Sequence, residues 1–240
     1  MRKLYPPSRP RSAGAHERTL MQHILVYSDS ASWGIIPMTR RRLPFEARWP
    51  GVMELALTRQ TLRRIRVIED CLNGRRTVWE DPFKPGRNGL AGLAQRIEIH
   101  SPLSLVMLML GNNDFQSVHS YTAWHAAQGI GTLINAIRQA PIEPGMPVPP
   151  ILVIAPAPIQ TPRGPLARKF TDAAVKSAGL AAAYREVCEE LSCHYFDAGT
   201  VTGASAIDGI HLDGEQHLRL GTALAAFVAT LPLSDPEAAP

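Results

Sequence analysis

Short runs rich in β-branched and apolar residues recur along the chain, separated by longer segments whose apolar positions fall at helical spacing. The runs are residues 23–28 (HILVYS), 65–69 (RIRVI), 104–110 (SLVMLML), 151–155 (ILVIA) and 194–196 (HYF). The helical segments cover about 45–62, 88–99, 121–140, 168–191 and 214–231. The runs at 104–110 and 151–155 are almost wholly apolar, as strands covered on both faces must be. Strand–helix alternation with apolar inner strands predicts an α/β fold, a parallel sheet with helices on both faces. Five strands in about 210 residues suit a flavodoxin-like three-layer arrangement with strand order 2-1-3-4-5. The Pro-rich stretch 141–150 reads as a connection inside one domain, because too little chain follows it to build a second core. There is no internal repeat and no heptad pattern.

Composition narrows the class. A chain of 240 residues with 45% hydrophobic and 19% charged side chains is neither disordered nor a polar tail. Its longest strongly apolar run, Leu103 to Leu110, is far short of the ~20 residues of a membrane span. Three cysteines (Cys71, Cys188, Cys193) exclude a disulfide scaffold and suit a reducing, cytoplasmic setting. The net charge of +4 is carried by residues 1–20, and the chain from Met21 onward holds 20 basic and 20 acidic groups. That distribution argues against a nucleic-acid partner, whose electrostatic footprint should lie on the domain itself. Residues 40–87 carry twelve basic and six acidic side chains, enough to make one face positive. Arg40–Arg42 and Arg63, Arg64 and Arg66 are read as solvated surface. Residues 1–20 are rich in Pro and Arg with no apolar h-region, so they read as a disordered basic tail and not as an export signal. Met21 then stands as an alternative start. The domain is placed at 21–231, with 232–240 as a loose end.

Ligands of such a sheet bind beyond the carboxyl ends of its strands. Ser28-Asp29-Ser30-Ala31-Ser32-Trp33-Gly34 follows the first strand, and Cys71-Leu72-Asn73-Gly74-Arg75 the second. Gly111-Asn112-Asn113-Asp114 follows the third, and Asp208-Gly209-Ile210-His211 precedes the last helix. One predicted edge thus collects hydroxyl, glycine N–H, carboxamide, carboxylate and imidazole. These are the parts of an acyl-transfer site: nucleophile, base, orienter of the base and oxyanion donors.

In this order the blocks ILVYSDSASWG, VIEDCLNGRRT, VMLMLGNND and DAGTVTGASAIDGIHL resemble the SGNH hydrolase (GDSL esterase/lipase) superfamily. The likeness is nearest to its arylesterase and acyltransferase branch, and it runs from His23 to about Leu231. Each block alone is a weak signal, whereas four in order at strand ends are specific. The resemblance implies a Ser–His–Asp site with Ser30 as nucleophile, His211 as base and Asp208 as its orienter. It also implies an oxyanion hole formed by Ser30, Gly74 and Asn113. Asp29 and Asp114 are expected to orient loops by hydrogen bonds. Trp33, beside the nucleophile, is expected to wall the substrate pocket, with simple packing as the alternative. Ser28 stands where the family pattern has Gly, and a position of positive φ there would strain it. Cys71 likewise stands where relatives often have Gly.

Blander readings exist for each residue. Ser30 alone would be a turn serine, Asp208 a helix cap and His211 a surface imidazole. Asp208, His211 and Asp213 lack the further His/Cys partners that a metal centre needs. No Walker A and no strand-linked G-x-G-x-x-G is present, so no cofactor is implied, and the absence of G-x-S-x-G argues against an α/β-hydrolase. The expected activity is a serine carboxylester hydrolase on short-chain aryl or alkyl esters through an acyl-enzyme, with acyl transfer as a side activity. The partner is a small-molecule ester, and relatives suggest a homo-oligomer with no interface legible here. Alternatives on the same site are a carbohydrate acetylesterase or a thioesterase/lysophospholipase. Outside that class stand a non-catalytic binding protein on this fold and, more distantly, an FMN binder.

Overall fold

The first run forms a strand covered on both of its faces. The structure, a computed structural model, describes residues 21–234. The expected basic tail 1–20 and residues 235–240 lie outside the described residues. In β1 (Met21–Ser28), Ile24 and Val26 enter one apolar cluster while Leu25 and Tyr27 enter another. All four are buried, because successive side chains of a strand point to opposite faces and both faces are covered. The other strands are β2 (Arg64–Cys71), β3 (Leu105–Met109), β4 (Ile151–Ala155) and β5 (His194–Asp197). They form one parallel sheet in the order β2-β1-β3-β4-β5, the flavodoxin-like order expected from the alternation.

Helices complete the three layers. On one face α3 (Leu93–His100), α4 (Ala123–Arg138) and α7 (Leu180–Glu190) press Ile97, Ile130, Ile134 and Tyr184 onto Leu25, Val106, Leu108 and Val153. On the other, α2 (Trp49–Thr61) and α8 (Gly214–Val228) press Trp49, Met53, Leu220 and Leu224 onto Ile24, Met107 and Ile154. Each such fully buried aliphatic or aromatic side chain contributes about 1.5–3 kcal/mol. α8 starts where Asp213 and Gln216 cap each other, Gln216 N–H donating to Asp213 Oδ1 at 3.2 Å and Asp213 N–H to Gln216 Oε1 at 2.8 Å.

Three helix expectations change, one being that the helix expected from residue 88 starts at Leu93, after Gly92 (φ 76°). The continuous helix over 168–191 is broken into single turns α5 (Leu166–Lys169) and α6 (Ala173–Lys176) before α7 begins. Asp172 (φ 59°) and Gly179 (φ 80°) take left-handed conformations that no α-helix continues through. The helix expected from residue 45 starts at Trp49 instead, after a 3₁₀ turn at Phe45–Ala47. Within the expected loose end, Leu233 packs on the α2/α8 side and Ser234 N–H donates to Ser104 O at 3.2 Å. Among the described residues, no helix is long and apolar enough to cross a membrane.

Candidate active site

The last pairing of β1 places the site. Ser28 pairs with Cys71 of β2 and with Met109 of β3, and the chain leaves the sheet at the next residue. Three strands therefore end together, and their following loops crowd over one point of the carboxyl edge. Asp29 caps the single turn α1 (Ser30–Trp33), its Oδ1 accepting from Ala31 N–H at 2.9 Å. Ser30 is thereby the first residue of the turn, 8% exposed at the floor of a cleft of about 470 Å³.

The structure brings the predicted serine, histidine and aspartate together. His211 Nε2 lies 3.1 Å from Ser30 Oγ, and its Nδ1 lies 2.7 Å from Asp208 Oδ2. A carboxylate only accepts, so Nδ1 carries the proton and Nε2 is left with a lone pair towards the hydroxyl. Asp208 Oδ1 accepts from the N–H groups of Ile210 and His211 at 3.0 and 2.9 Å. Burial raises its carboxyl pKa, but the His211 hydrogen bond and charge and these N–H groups outweigh it and hold the group below its ordinary value. The three-residue spacing works because Gly209 takes φ 80° and lies so close to Thr161 that a Cβ would sit 2.3 Å from its carbonyl oxygen. Gln160 N–H donates to Gly209 O at 2.9 Å and Arg163 N–H to Asp208 O at 3.0 Å, which pin the loop.

Gly74 and Asn113 line the same cleft. Gly74 has φ 87°, and a Cβ there would meet only Arg87 atoms at 3.8 Å. Backbone conformation, and not crowding, is what asks for glycine. Neither Ser30 N–H nor Gly74 N–H has an acceptor among the described residues. Asn113 is held from three sides. Its Oδ1 accepts from Gln116 Nε2 at 2.8 Å, and its Nδ2 donates to Asp29 Oδ2 at 2.8 Å and to Arg75 O at 3.2 Å. Asp29 and Asp114 act in loops, as expected. Asp114 accepts from Thr77 N–H at 2.9 Å and Thr77 Oγ1–H at 2.6 Å, joining the loop after β2 to that after β3. Burial pushes Asp29 up to about 6 and Asp114 up to about 7, despite these bonds.

Sequence reasoning missed Arg75. Its guanidinium donates to Ser28 O at 2.9 Å and to Asp70 Oδ1 at 2.7 Å, and lies 3.8 Å from the centre of the Tyr27 ring. It thus ties the Gly74 loop to the ends of β1 and β2. Nothing local in Gly-Arg-Arg says which arginine turns inward. Trp33 is not among the residues lining the cleft. Its ring carries the Arg42 guanidinium at 4.7 Å, and Ile35 and Met38 stand in the wall instead. The turn ends directly after Trp33, where Gly34 takes φ 81°, and Arg42, whose Nε donates to Trp33 O at 2.7 Å, engages both its carbonyl and its ring. Nor is Ser28 strained, because it lies in β1 outside the positive-φ region. Its hydroxyl donates to Met109 O at 2.6 Å and accepts from Ser32 Oγ at 2.6 Å, which in turn accepts from Trp49 Nε1 at 3.0 Å. A second cleft of about 300 Å³, beside Pro158, Leu180 and Thr200, holds no nucleophile–base pair. No group of three His, Cys, Asp or Glu among the described residues is placed to hold a metal ion.

Comparison with known proteins agrees with this fold. Residues 30–219 match the GDSL-like lipase/acylhydrolase family. A carbohydrate acetylesterase from Sinorhizobium meliloti superposes with a TM-score of 0.82 at 33% identity, over 88% of this chain and 100% of that one. The native aryl esterase of M. smegmatis gives a TM-score of 0.82 at 31% identity, over 88% and 100%. A further carbohydrate acetylesterase family member from S. meliloti gives 0.80 at 35% identity, over 86% and 97%. A search of curated proteins returned no match. With the family matched over most of the domain and full-length structural neighbours above 30% identity, the chain belongs to the GDSL-like lipase/acylhydrolase family and is a carboxylic ester hydrolase of the SGNH type.

Proposed function

We propose that the protein hydrolyses short-chain aryl and alkyl esters with Ser30 as nucleophile, His211 as general base and Asp208 as the group that orients the imidazole. The observation that carries this reading is the unbroken chain from Ser30 Oγ through His211 to Asp208, at 3.1 and 2.7 Å. Ser30 Oγ attacks the ester carbonyl carbon while its proton passes to His211 Nε2. The oxyanion is received by the unengaged N–H groups of Ser30 and Gly74. Asn113 joins them by giving up its longer bond, 3.2 Å to Arg75 O, while its 2.8 Å bond to Asp29 keeps it aimed. Collapse expels the alcohol, which takes the proton from Nε2. Water then attacks the acyl-enzyme, gives its proton to His211, and the acid leaves as Ser30 is reprotonated. Another alcohol in place of that water makes the same step an acyl transfer.

A second reading is deacetylation of sugar esters, favoured by the S. meliloti carbohydrate acetylesterases among the structural neighbours. One assay series separates these readings. Wild type and Ser30→Ala are compared on p-nitrophenyl acetate and on acetylated sugars, with a fluorophosphonate probe as a label of the nucleophile. Turnover of the aryl ester, lost by roughly 10⁴-fold or more in Ser30→Ala, is the expected result. Activity on acetylated sugars alone moves the substrate to carbohydrate. An unlabelled Ser30 sinks both.

A further inference from the structure

The cleft carries cations without matching anions. Arg40, Lys84 and Lys169 all line it, and none has a carboxylate within ion-pair distance among the described residues. The two acids lining the same cleft are already engaged. Asp208 holds His211. Asp81 accepts from Phe83 N–H at 2.9 Å and Lys84 N–H at 3.2 Å, and pairs with the fully buried Arg76 at 3.2 Å. Arg87 adds a further guanidinium beside Gly74, spent only on carbonyl oxygens of Asn73, Pro85 and Gly86.

These cations feel one another. Partial desolvation first, then Arg87 and Arg40, lower the Lys84 pKa from its ordinary value, with Asp81 opposing. Partial desolvation likewise leads for Lys169, where Asp81 opposes and Lys84, Arg76 and Arg87 add to the lowering. Like charges held together in one cleft are unfavourable until an anion arrives. The positive wall is also local, since the chain from Met21 onward has 20 basic and 20 acidic groups. Next to the cations the cleft is apolar, lined by Met38, Leu166 and Phe170. Hence the cleft offers a small hydrophobic surface for carbon atoms and, at its margin, donors for a negative group.

We propose that the preferred substrates are esters that also carry a carboxylate, held by Lys84 and Lys169 with Arg40 at the rim while the scissile carbonyl sits over Ser30. This rests on the esterase reading above and names its substrate class. The carboxylate could belong to the acyl part or to the alcohol part, and matched substrates distinguish them. The acyl arm compares 4-nitrophenyl hemisuccinate with 4-nitrophenyl methyl succinate. The alcohol arm compares 4-acetoxybenzoate with its methyl ester. In dilute buffer, kcat/KM for the charged member of at least one pair should exceed that of its neutral partner by roughly tenfold. The ratio should collapse towards one at high salt and in the Lys84→Gln/Lys169→Gln protein. Ratios of one or below for both pairs, or a preference that survives the double substitution, overturn the proposal and leave the esterase reading standing. If no ester is turned over, the esterase reading fails on its own. The anion site is then judged by calorimetric titration of Ser30→Ala with succinate and with 4-hydroxybenzoate. Binding that disappears on adding Lys84→Gln/Lys169→Gln supports the site, and no binding of either anion overturns it.

Discussion

The hydroxyl of Ser28 replaces nothing that the backbone needs, and it contributes a bond of its own. The relay from Trp49 Nε1 through Ser32 and Ser28 to Met109 O is wholly buried, and it ties α2 to the turn that carries Ser30. Removing the middle hydroxyl leaves the Ser32 proton and the Met109 carbonyl without partners, at a cost of about 1–3 kcal/mol. Ser28→Ala should therefore unfold at lower temperature than wild type while a fluorophosphonate still labels Ser30. Loss of labelling with an unchanged melting temperature would contradict that division of labour. Ser28 was noticeable in the sequence as a departure from the family pattern. Its partners were not, because Met109 lies 81 residues away.

At the scale of elements, the short loop 208–211 carries both His211 and its hydrogen-bond partner Asp208, and it can do so only with glycine at 209. A Cβ there would meet the Thr161 carbonyl at 2.3 Å and would force an L-residue to φ 80°. Gly209→Ala should cost several kcal/mol or displace the loop, and esterase activity should fall further than the change in stability accounts for. Circular dichroism melts alongside kcat measurements check this. α2 ends the opposite way, on a leucine. Leu62 takes φ 56° while 86% exposed, so it carries left-handed strain with little burial in return. Leu62→Gly should stabilise the protein by roughly 0.5–1 kcal/mol, read as a rise in melting temperature with turnover unchanged. A fall would mean that the side chain has a packing role. The helix ends near 62, 100 and 138 were legible from periodicity. The break of 168–191 was not, because small and charged residues such as Ala173, Lys176 and Ala178 satisfy a helical pattern without anchoring it.

Over the whole molecule, buried ionisable groups set opposing pH dependences. His217 of α8 is fully buried, its Nδ1 accepting from Trp49 N–H at 3.2 Å, and burial lowers its pKa to about 4. Its folded pKa lies below its unfolded one. The stability it contributes is therefore complete above about pH 6.5 and is lost as pH falls towards 4, because the unfolded chain binds the proton more readily. Asp29 and Asp114 have raised values, about 6 and about 7, and act in the other direction: they favour folding at low pH and lose that contribution as pH rises. The two trends overlap between about pH 4 and 6.5, so the wild-type profile should be flatter than either alone. His217→Asn, which keeps an acceptor and cannot be protonated, removes one of them. Relative to wild type, this variant should gain stability on acidification from pH 7 to 4, by up to about 3 kcal/mol. A stability difference independent of pH would show that His217 is not the group responsible.

The sequence by itself determined the number and order of the strands, the double-sided burial of the inner strands β3 and β4 and the four loops that bear chemistry, because each is written in local periodicity or in a short block. Through the resemblance of those blocks to the SGNH pattern it also pointed to Ser30, Asp208, His211, Gly74 and Asn113, the residues proposed above to carry the reaction. Only the tertiary structure decided which side chains turn into the cleft. Trp33 is three residues from Ser30 in sequence yet lies under Arg42, while Lys84 and Lys169, more than fifty residues distant from Ser30, line the same space as it. The reason is physical. Backbone pattern follows from neighbouring residues, whereas the direction and charge environment of a side chain depend on loops from separate strands converging at one sheet edge.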